Sequence, residues 1–253
     1  MNTLEERLRS CSATVGIIGL GYVGLPTAVS AAVAGYEVIG FDIDPQKVEA
    51  INAGECYIPD IAPEEWKIAV ENHRLKATTG FAQLRKCDVV LICVPTPMSR
   101  AKEPDMRAVE AAVGAVARTL RSEQLIILES TTYPGTTVEL VQPMLEATGL
   151  EAGVDFALAF SPERIDPGNK RFTLRQVPKV VGGVNALSTE LACLFYRAFI
   201  DQVVPVSSPT TAEMVKIYEN VFRSVNIALV NELALLCDRM GLDVWEVIDA
   251  AST

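Results

Sequence analysis

The stretch that decides the fold runs Thr14-Val15-Gly16-Ile17-Ile18-Gly19-Leu20-Gly21-Tyr22-Val23-Gly24. It carries three glycines directly after an apolar run and at the start of a helical pattern. In a strand–turn–helix the first glycine permits a tight turn, the second lets a pyrophosphate approach the backbone, and the third allows close helix–strand packing. Free amides at the helix start would face the phosphates. The residues predicted to bind the dinucleotide here are Gly19, Gly21, Tyr22, Val23 and Gly24.

A second apolar run ends at Asp42, which places a carboxylate 21 residues beyond Gly21. That carboxylate can accept hydrogen bonds from both ribose hydroxyls, and its charge would repel a 2′-phosphate. The sequence therefore predicts NAD in preference to NADP. Asp44 and Pro45 fit the N-cap and first position of a helix. Lys47, one turn further, could either reach the ribose or remain solvated.

Apolar runs alternate with helical patterns along the first 206 residues. The predicted strands are 14–18, 37–41, 89–94, 125–129, 156–160, 180–181 and 203–206. This alternation predicts a Rossmann-type, doubly wound and mainly parallel α/β sheet. Hydroxyl-bearing loops with Thr96 and Thr131 follow two strand ends, where open α/β sheets bind ligands. The residues alone leave open whether these hydroxyls cap helices or contact a cofactor.

The pattern changes after residue 206. A stretch from Thr210 to Met240 contains neither proline nor glycine and predicts one helix of about 30 residues, with Thr210 and Glu213 as a capping box. The predicted domains are 1–206, which binds NAD, and 207–253, which holds the long helix and the start of the next helical segment. An apolar stripe on this helix is a candidate homodimer seam. It consists of Val221, Val225, Leu229 and Leu233, with Phe222 and Leu236 beside them.

Composition excludes several classes of protein. The net charge of −10 repels phosphate backbones and argues against nucleic acid as a partner. Continuous apolar runs fall far short of the ~20 residues of a membrane span, and residues 1–10 alternate in charge where a signal peptide would be apolar. We therefore expect a cytoplasmic protein. The single histidine, His73, and six cysteines without a Cys-x-x-Cys pair predict neither a metal site nor disulfides.

Five motifs in this order resemble the UDP-glucose/UDP-N-acetylhexosamine 6-dehydrogenase family over nearly the whole sequence. They are Gly-Leu-Gly-Tyr-Val-Gly-Leu-Pro at 19–26, Val-Pro-Thr-Pro at 94–97, Ser130-Thr131 with Pro-Gly-Thr-Thr at 134–137, Ser-Pro-Glu-Arg at 161–164, and Lys216 with Asn220. The resemblance implies two Rossmann-like domains joined by a long helix. It also implies oxidation of a sugar C6 alcohol to a carboxylate, with NAD as the cofactor, two NAD consumed and a UDP-sugar as the substrate.

Roles at the cofactor follow from the same resemblance. It implies that Asp42 and Lys47 bind the adenosine ribose, and that Thr96 and Thr131 line the cofactor cleft. Thr131 also counts among the implied catalytic residues.

Roles at the substrate are implied for four further residues. Glu163 would serve acid–base steps beside Arg164, Lys216 would steady a developing oxyanion, and Asn220 would hold the sugar or a water. Because Lys216 and Asn220 are four residues apart, they share one face of a helix and can converge on one oxygen. A cation and an amide there would stabilise an alkoxide. The residues alone favour an ion pair of Lys216 with Glu213 or Glu219, and only the set of motifs favours the catalytic role instead.

The sugar is suggested by one loop. Ser-Pro-Glu-Arg-Ile-Asp-Pro-Gly-Asn at 161–169, followed by Pro-Lys-Val-Val-Gly-Gly at 178–183, is more similar to UDP-N-acetylglucosamine dehydrogenases than to UDP-glucose enzymes. UDP-N-acetylmannosamine enzymes share the Pro-Glu-Arg start, so the configuration at C2 stays open. Products of this branch usually feed surface polysaccharide synthesis.

One part of the family's pattern is missing before Thr253. The nucleophilic cysteine of the family lies in a glycine-rich motif beyond the long helix, and no such motif occurs here. Aldehyde oxidation needs a tetrahedral adduct, which a thiolate normally forms. With the C-terminal, UDP-binding domain also absent, we expect this chain to bind NAD but to turn over little or no sugar.

Two other classes of protein are also consistent with the sequence. A β-hydroxyacid dehydrogenase of the 6-phosphogluconate type also combines this nucleotide site with Lys-x-x-x-Asn on a helix. From a different class, a non-catalytic NAD-binding assembly module would use the long helix for oligomerisation. A short-chain dehydrogenase is disfavoured because no tyrosine has a lysine four residues later.

Overall fold

The computed structural model describes residues 2–98, 103–164 and 173–253; the predicted sugar-loop residues 165–169 lie outside them. Over these residues the chain forms one eight-stranded sheet with helices between its strands. The strands are β1 (Thr14–Ile18), β2 (Glu37–Phe41), β3 (Leu75–Thr78), β4 (Val89–Ile92), β5 (Leu125–Leu128), β6 (Ala157–Phe160), β7 (Lys179–Gly183) and β8 (Val203–Pro205). The helices are α1 (Asn2–Arg9), α2 (Gly24–Ala34), α3 (Pro45–Asn52), α4 (Pro63–Glu71), α5 (Arg107–Ala117), α6 (Gln142–Glu146), α7 (Ala186–Arg197), α8 (Pro209–Met240) and α9 (Val244–Ala251).

The strand order is β3-β2-β1-β4-β5-β6-β7-β8. Neighbours from β3 to β6 are parallel, β7 is antiparallel to β6, and β8 is parallel to β7. The first six strands thus follow the 3-2-1-4-5-6 order of a doubly wound dinucleotide-binding sheet. The predicted Rossmann-type, mainly parallel fold is confirmed. Because the order reverses between β1 and β4, a crevice opens at the carboxyl ends of these two strands.

The central strands read as continuous apolar runs because helices cover both of their faces. Every residue of β4, β5 and β6 is buried. Strand β3 was not predicted, since its sequence Leu-Lys-Ala-Thr is short and alternates between buried and more exposed residues. That alternation suits its position at the edge of the sheet, where it pairs only with β2 among the described strands.

Helix α8 begins at Pro209 and ends at Met240, close to its predicted bounds. The predicted capping box of Thr210 and Glu213 is wrong, because the Ser208 hydroxyl caps the helix by accepting from the Thr211 amide at 3.1 Å. At the other end Gly241 adopts φ +69°, and the Leu242 amide donates back to the Cys237 carbonyl at 2.9 Å. This left-handed closure satisfies carbonyls of the last turn.

Glu213 has a tertiary role instead. Its carboxylate is fully buried and accepts from the Gly135 amide at 2.6 Å, the Thr137 amide at 2.8 Å and the Thr137 hydroxyl at 2.6 Å. One side chain therefore ties the first turns of α8 to the loop that follows β5.

The chain divides into two compact units, Met1–Met214 and Val215–Thr253. The second consists of the remainder of α8 together with α9, which Asp243 caps by accepting from the Trp245 amide. Among the described helices, Pro209–Met240 is long and apolar enough to cross a membrane by length and composition alone. A single helix of this kind is weak evidence for a span, because helices that pack inside proteins pass the same test.

Replacing Glu213 by alanine should lower the free energy of unfolding by about 3 kcal/mol, because buried donors at Gly135 and Thr137 lose their acceptor. In a domain of this size that corresponds to a Tm lower by roughly 6–12 °C. Thermal unfolding followed by circular dichroism measures the change. Glu232→Ala, at an exposed position of the same helix, is the matched control and should move Tm by about 1–2 °C at most. Equal shifts for the two variants would contradict the assignment.

Candidate functional site

The glycine turn after β1 is shaped by backbone contacts that leave no room for side chains at two positions. Gly19 has φ +93°, and a Cβ there would lie 2.5 Å from the Cys93 carbonyl oxygen. A Cβ on Gly24 would lie 1.8 Å from the Gly19 carbonyl oxygen. By contrast, a Cβ on Gly21 would meet no atom of the described chain within 4 Å. The protein itself therefore gives no packing reason for glycine at position 21, and the open space there suits a bound group.

The start of α2 is suited to an anion. No described side chain caps this helix, whose N-cap is Val23, while Tyr22 beside it is half-exposed. Backbone amides of an uncapped first turn point toward any group at the helix axis, and the helix dipole favours negative charge there. Together with the space over Gly21, these amides fit a pyrophosphate.

Asp42 lies directly after β2, with only 6% of its surface exposed. One carboxylate oxygen accepts from the Leu20 amide at 2.8 Å and lies 3.3 Å from Lys47 Nζ; the other accepts from the Asp44 amide at 3.0 Å. The structure thus brings the predicted Asp42 and Lys47 together beside the glycine turn. Asp44 caps α3 through the Gln46 amide, as predicted.

Tyr57 is a further neighbour of this corner that the sequence did not reveal. Its hydroxyl donates to the Leu20 carbonyl at 2.6 Å. Burial, and then the negative charge of Asp42, raises the pKa of Tyr57 well above its ordinary value. The hydroxyl therefore stays protonated. It binds the Leu20 carbonyl, while Asp42 binds the Leu20 amide.

The loops after β4 and β5 are joined to each other by hydroxyls. Ser130 Oγ accepts from the Val94 amide at 3.0 Å and lies 2.8 Å from the Val94 carbonyl oxygen. Thr96 Oγ1 donates to the Thr131 carbonyl at 2.5 Å. The structure thus brings Thr96 and Thr131 together on the cofactor edge of the sheet, and the Thr131 side chain is exposed there.

A buried ionic cluster lies at the same edge, beyond β5 and β6. Lys179 Nζ lies 3.2 Å from Glu163 Oε2 and 3.2 Å from Glu129 Oε1. The other Glu163 oxygen accepts from the Arg164 amide at 2.6 Å, and Arg164 Nη1 donates to the Pro178 carbonyl at 3.1 Å. The predicted acid–base residue is therefore held on both of its oxygens.

Sheet topology explains why these groups meet. Strand β7 runs antiparallel to β6, with Phe160 opposite Gly182. Continuing that register by three residues puts Lys179 opposite Glu163. Because β7 is reversed, its first residue lies at the edge where the parallel strands end.

Two more side chains complete the cluster. The Tyr196 hydroxyl donates to Glu129 Oε1, and Cys93 Sγ lies 3.7 Å from Glu129 Oε2. Burial, followed by the charge of Glu163, raises the pKa of Glu129, while Lys179 offsets part of this effect. Burial and Glu129 also raise the pKa of Cys93, so its thiol stays protonated and is a poor nucleophile.

Lys216 and Asn220 both lie on α8, four residues apart on one face. They belong to the unit Val215–Thr253. Their roles at the substrate stay a prediction, as does the substrate role of Arg164.

The chain belongs to the UDP-glucose/GDP-mannose dehydrogenase family. Residues 13–200 match the family's NAD binding domain, and residues 210–253 match its central domain. The prediction of NAD as the cofactor is confirmed by this match, and so is the predicted family. Membership also sets aside the β-hydroxyacid dehydrogenase alternative.

Individual relatives agree with this assignment. The chain is 41% identical over 242 residues to the UDP-N-acetyl-D-mannosamine dehydrogenase of Pyrococcus horikoshii, covering 94% of this chain and 57% of the relative. A solved structure of UDP-D-ManNAc dehydrogenase from that organism superposes with a TM-score of 0.88 over 94% of this chain and 57% of the other, at 41% identity. The UDP-N-acetyl-D-glucosamine 6-dehydrogenase of Pseudomonas aeruginosa is 38% identical over 241 residues, with 94% and 56% covered. The chain thus spans somewhat more than half the length of these relatives.

Alanine at position 21 should weaken NAD binding without disturbing the fold, because its Cβ enters the space left for the pyrophosphate. We expect NAD affinity, measured by calorimetry, to fall about tenfold or more, which is 1.4 kcal/mol, with Tm unchanged. Gly24→Ala is the matched comparison and should lower Tm markedly, since its Cβ collides with the Gly19 carbonyl. A Gly21→Ala protein that binds NAD normally would refute this geometry.

Asparagine at position 42 should weaken the preference for NAD over NADP. It keeps an acceptor for the Leu20 amide but removes the charge that opposes a 2′-phosphate, so NADP should bind more tightly and NAD about tenfold less tightly. Calorimetry with both nucleotides gives the ratio. Asp44→Asn, which removes the same charge two residues away and remains a good N-cap, should leave the ratio nearly unchanged. A ratio that responds equally to both substitutions would contradict a specific role for Asp42.

Proposed function

We propose that the protein oxidises the C6 alcohol of a UDP-N-acetylhexosamine to the uronic acid, with NAD as the cofactor, for surface polysaccharide synthesis. The observation that supports this proposal is a buried carboxylate, Glu163, at the sheet edge predicted to bind NAD, in a chain of the UDP-glucose/GDP-mannose dehydrogenase family. NAD supplies the hydride acceptor when it is bound.

The residues of this chain have separate tasks in the proposed reaction. The glycine turn and the start of α2 would hold the pyrophosphate, while Asp42 and Lys47 would hold the adenosine ribose. Thr96 and Thr131 would line the cleft next to the reacting carbon. Their mutual hydrogen bond supports this task, because it fixes the two loops relative to each other.

Glu163 would take up and release a proton during the second half of the oxidation. Its carboxylate is suited to that task because it is held on both oxygens and shielded from bulk water, with 7% of the residue's surface exposed. Lys216 and Asn220 would stabilise the developing alkoxide at C6, Arg164 would assist substrate binding, and these assignments rest on the family resemblance and the helical spacing.

The names of two relatives support an N-acetylhexosamine as the sugar of the substrate. Relatives named for UDP-N-acetyl-D-mannosamine and for UDP-N-acetyl-D-glucosamine match at 41% and 38% identity. The loop at 161–169 favours the gluco sugar by motif, so we propose UDP-N-acetylglucosamine first and UDP-N-acetylmannosamine second. Rates of NADH formation with these two sugars and with UDP-glucose would rank the three.

We propose that the protein is a homodimer in the cytoplasm. The apolar stripe of α8, including Val221, Phe222 and Val225, is exposed in the single chain, and we propose that a second copy covers it in a homodimer. Covering the stripe in this way would account for an apolar helix without a membrane, in a protein that we place in the cytoplasm.

Replacing Lys216 by alanine in the full-length protein tests the proposed chemistry. We expect kcat for NADH formation with UDP-N-acetylglucosamine to fall by about 100-fold or more, because the loss of one oxyanion-stabilising group typically costs that much. NAD affinity should stay within about twofold. Arg223→Ala removes a cation from an exposed position of the same helix and serves as the control. Unchanged turnover in Lys216→Ala would contradict the catalytic role of Lys216 and favour a structural one, whereas no turnover in the unaltered full-length protein would favour a non-catalytic NAD-binding module.

A further inference from the structure

The buried cluster contains more charge than the proposed acid–base step requires. In the described part of the chain, one ammonium, Lys179, lies between two carboxylates at equal distances of 3.2 Å. Glu163 lies in the loop after β6 that the sequence analysis assigns to the sugar, whereas Glu129 lies directly after β5 and is only 1% exposed. Lys179 is 5% exposed. Glu129 is therefore the most deeply buried of the three charged residues.

Stability does not account for such a cluster. Buried ion pairs often contribute no more to stability than apolar residues of the same volume, because the charges lose their hydration. The surrounding residues nevertheless hold Lys179 firmly: Glu129 is fixed by the Tyr196 hydroxyl, and the ammonium lies 5.2 Å from the centre of the Tyr196 ring. A rigid buried charge next to an acid–base residue is a means of controlling that residue.

We propose that Lys179, anchored by Glu129 and Tyr196, is a positioning residue that holds Glu163 in place and balances its charge during proton transfer. This inference rests on the proposed function, because it needs Glu163 to exchange protons. The arrangement has one specific consequence. When Glu163 takes up a proton, Lys179 still has Glu129 as its counter-ion, so the ammonium is never left as an isolated buried charge.

The other titratable and charged groups around Glu163 are consistent with this role. In the described chain they include Cys93, Glu129, Lys179 and Arg164, which come from the ends of β4 and β5, from β7 and from the adjoining loop. Tyr196 of α7 lies one contact further away, hydrogen-bonded to Glu129. Burial lowers the pKa of Lys179, but the charges of Glu129 and Glu163 outweigh it and raise the pKa overall. Lys179 therefore stays charged through the working pH range.

Two substitutions in the full-length protein should shift the pH–rate profile in opposite directions. Lys179→Met removes the positive charge, so the acidic limb of kcat/KM should move to higher pH by about one unit or more. Glu129→Gln removes the second negative charge, so Glu163 becomes the sole carboxylate of the cluster that pairs with Lys179. The pKa of Glu163 should then fall, and the acidic limb should move to lower pH. In both variants NAD affinity should stay within about twofold of the unaltered protein. A residue that only stabilised the fold would not produce shifts of opposite sign.

One control makes the result decisive: Lys179→Arg keeps the charge and should retain a nearly unaltered profile. Should Lys179→Met fail to fold, the downward shift in Glu129→Gln decides the matter. Unshifted profiles in folded variants would overturn the inference. Absence of NADH formation in the unaltered full-length protein with every UDP-sugar would refute the proposed function, and the positioning role with it.

Discussion

The close contact between the turn at Gly19 and the first residue of α2 is the constraint on which the rest of the site depends. Only hydrogen fits at Gly24, where a Cβ would lie 1.8 Å from the Gly19 carbonyl oxygen. This contact fixes the direction of α2, and therefore the position to which its uncapped amides point. Asp42 reinforces the turn by accepting from the Leu20 amide, so the predicted ribose acceptor and the amides predicted to bind phosphate are held as one unit. Strands β1, β4, β5 and β6 are parallel, and each therefore delivers its following loop to this same edge.

The reversal of strand direction at β7 brings the buried ionic cluster together at this edge of the sheet. A parallel β7 would have placed its first residue at the opposite end of the sheet, whereas the antiparallel strand puts Lys179 between Glu129 and Glu163. Glu129, Glu163 and Lys179 can be buried together there because the Lys179 ammonium is shared between the two acidic side chains and because Tyr196 donates to one of them. The residues predicted to bind the cofactor and the predicted acid–base residue thus occupy neighbouring loops of one sheet, and catalytic groups held by strand ends are more precisely placed than groups on free loops.

Local sequence patterns predicted the parts of the molecule that local interactions determine. The glycine turn, the Asp44 cap, most strands and the bounds of α8 could be predicted because each depends on residues close together in the chain. Strand β3 was missed since a short, half-exposed edge strand has no distinctive pattern. Glu213 was misassigned because a capping-box spacing cannot show that the carboxylate binds Gly135 and Thr137. The Glu129–Lys179 pair was missed for the same reason, since its members are 50 positions apart in the chain with β6 between them.

The central claim is that this chain holds NAD through an amide-lined turn and an acidic ribose acceptor. Membership in the UDP-glucose/GDP-mannose dehydrogenase family supports NAD as the cofactor, and the geometry of the edge supports the way in which it is held. Calorimetric titration of the unaltered chain with NAD and, separately, with NADP tests that claim most directly. The account predicts saturable binding of NAD at one site per chain and affinity for NADP lower by about tenfold or more, a difference of 1.4 kcal/mol. Undetectable NAD binding, or equal affinity for the two nucleotides, would contradict it.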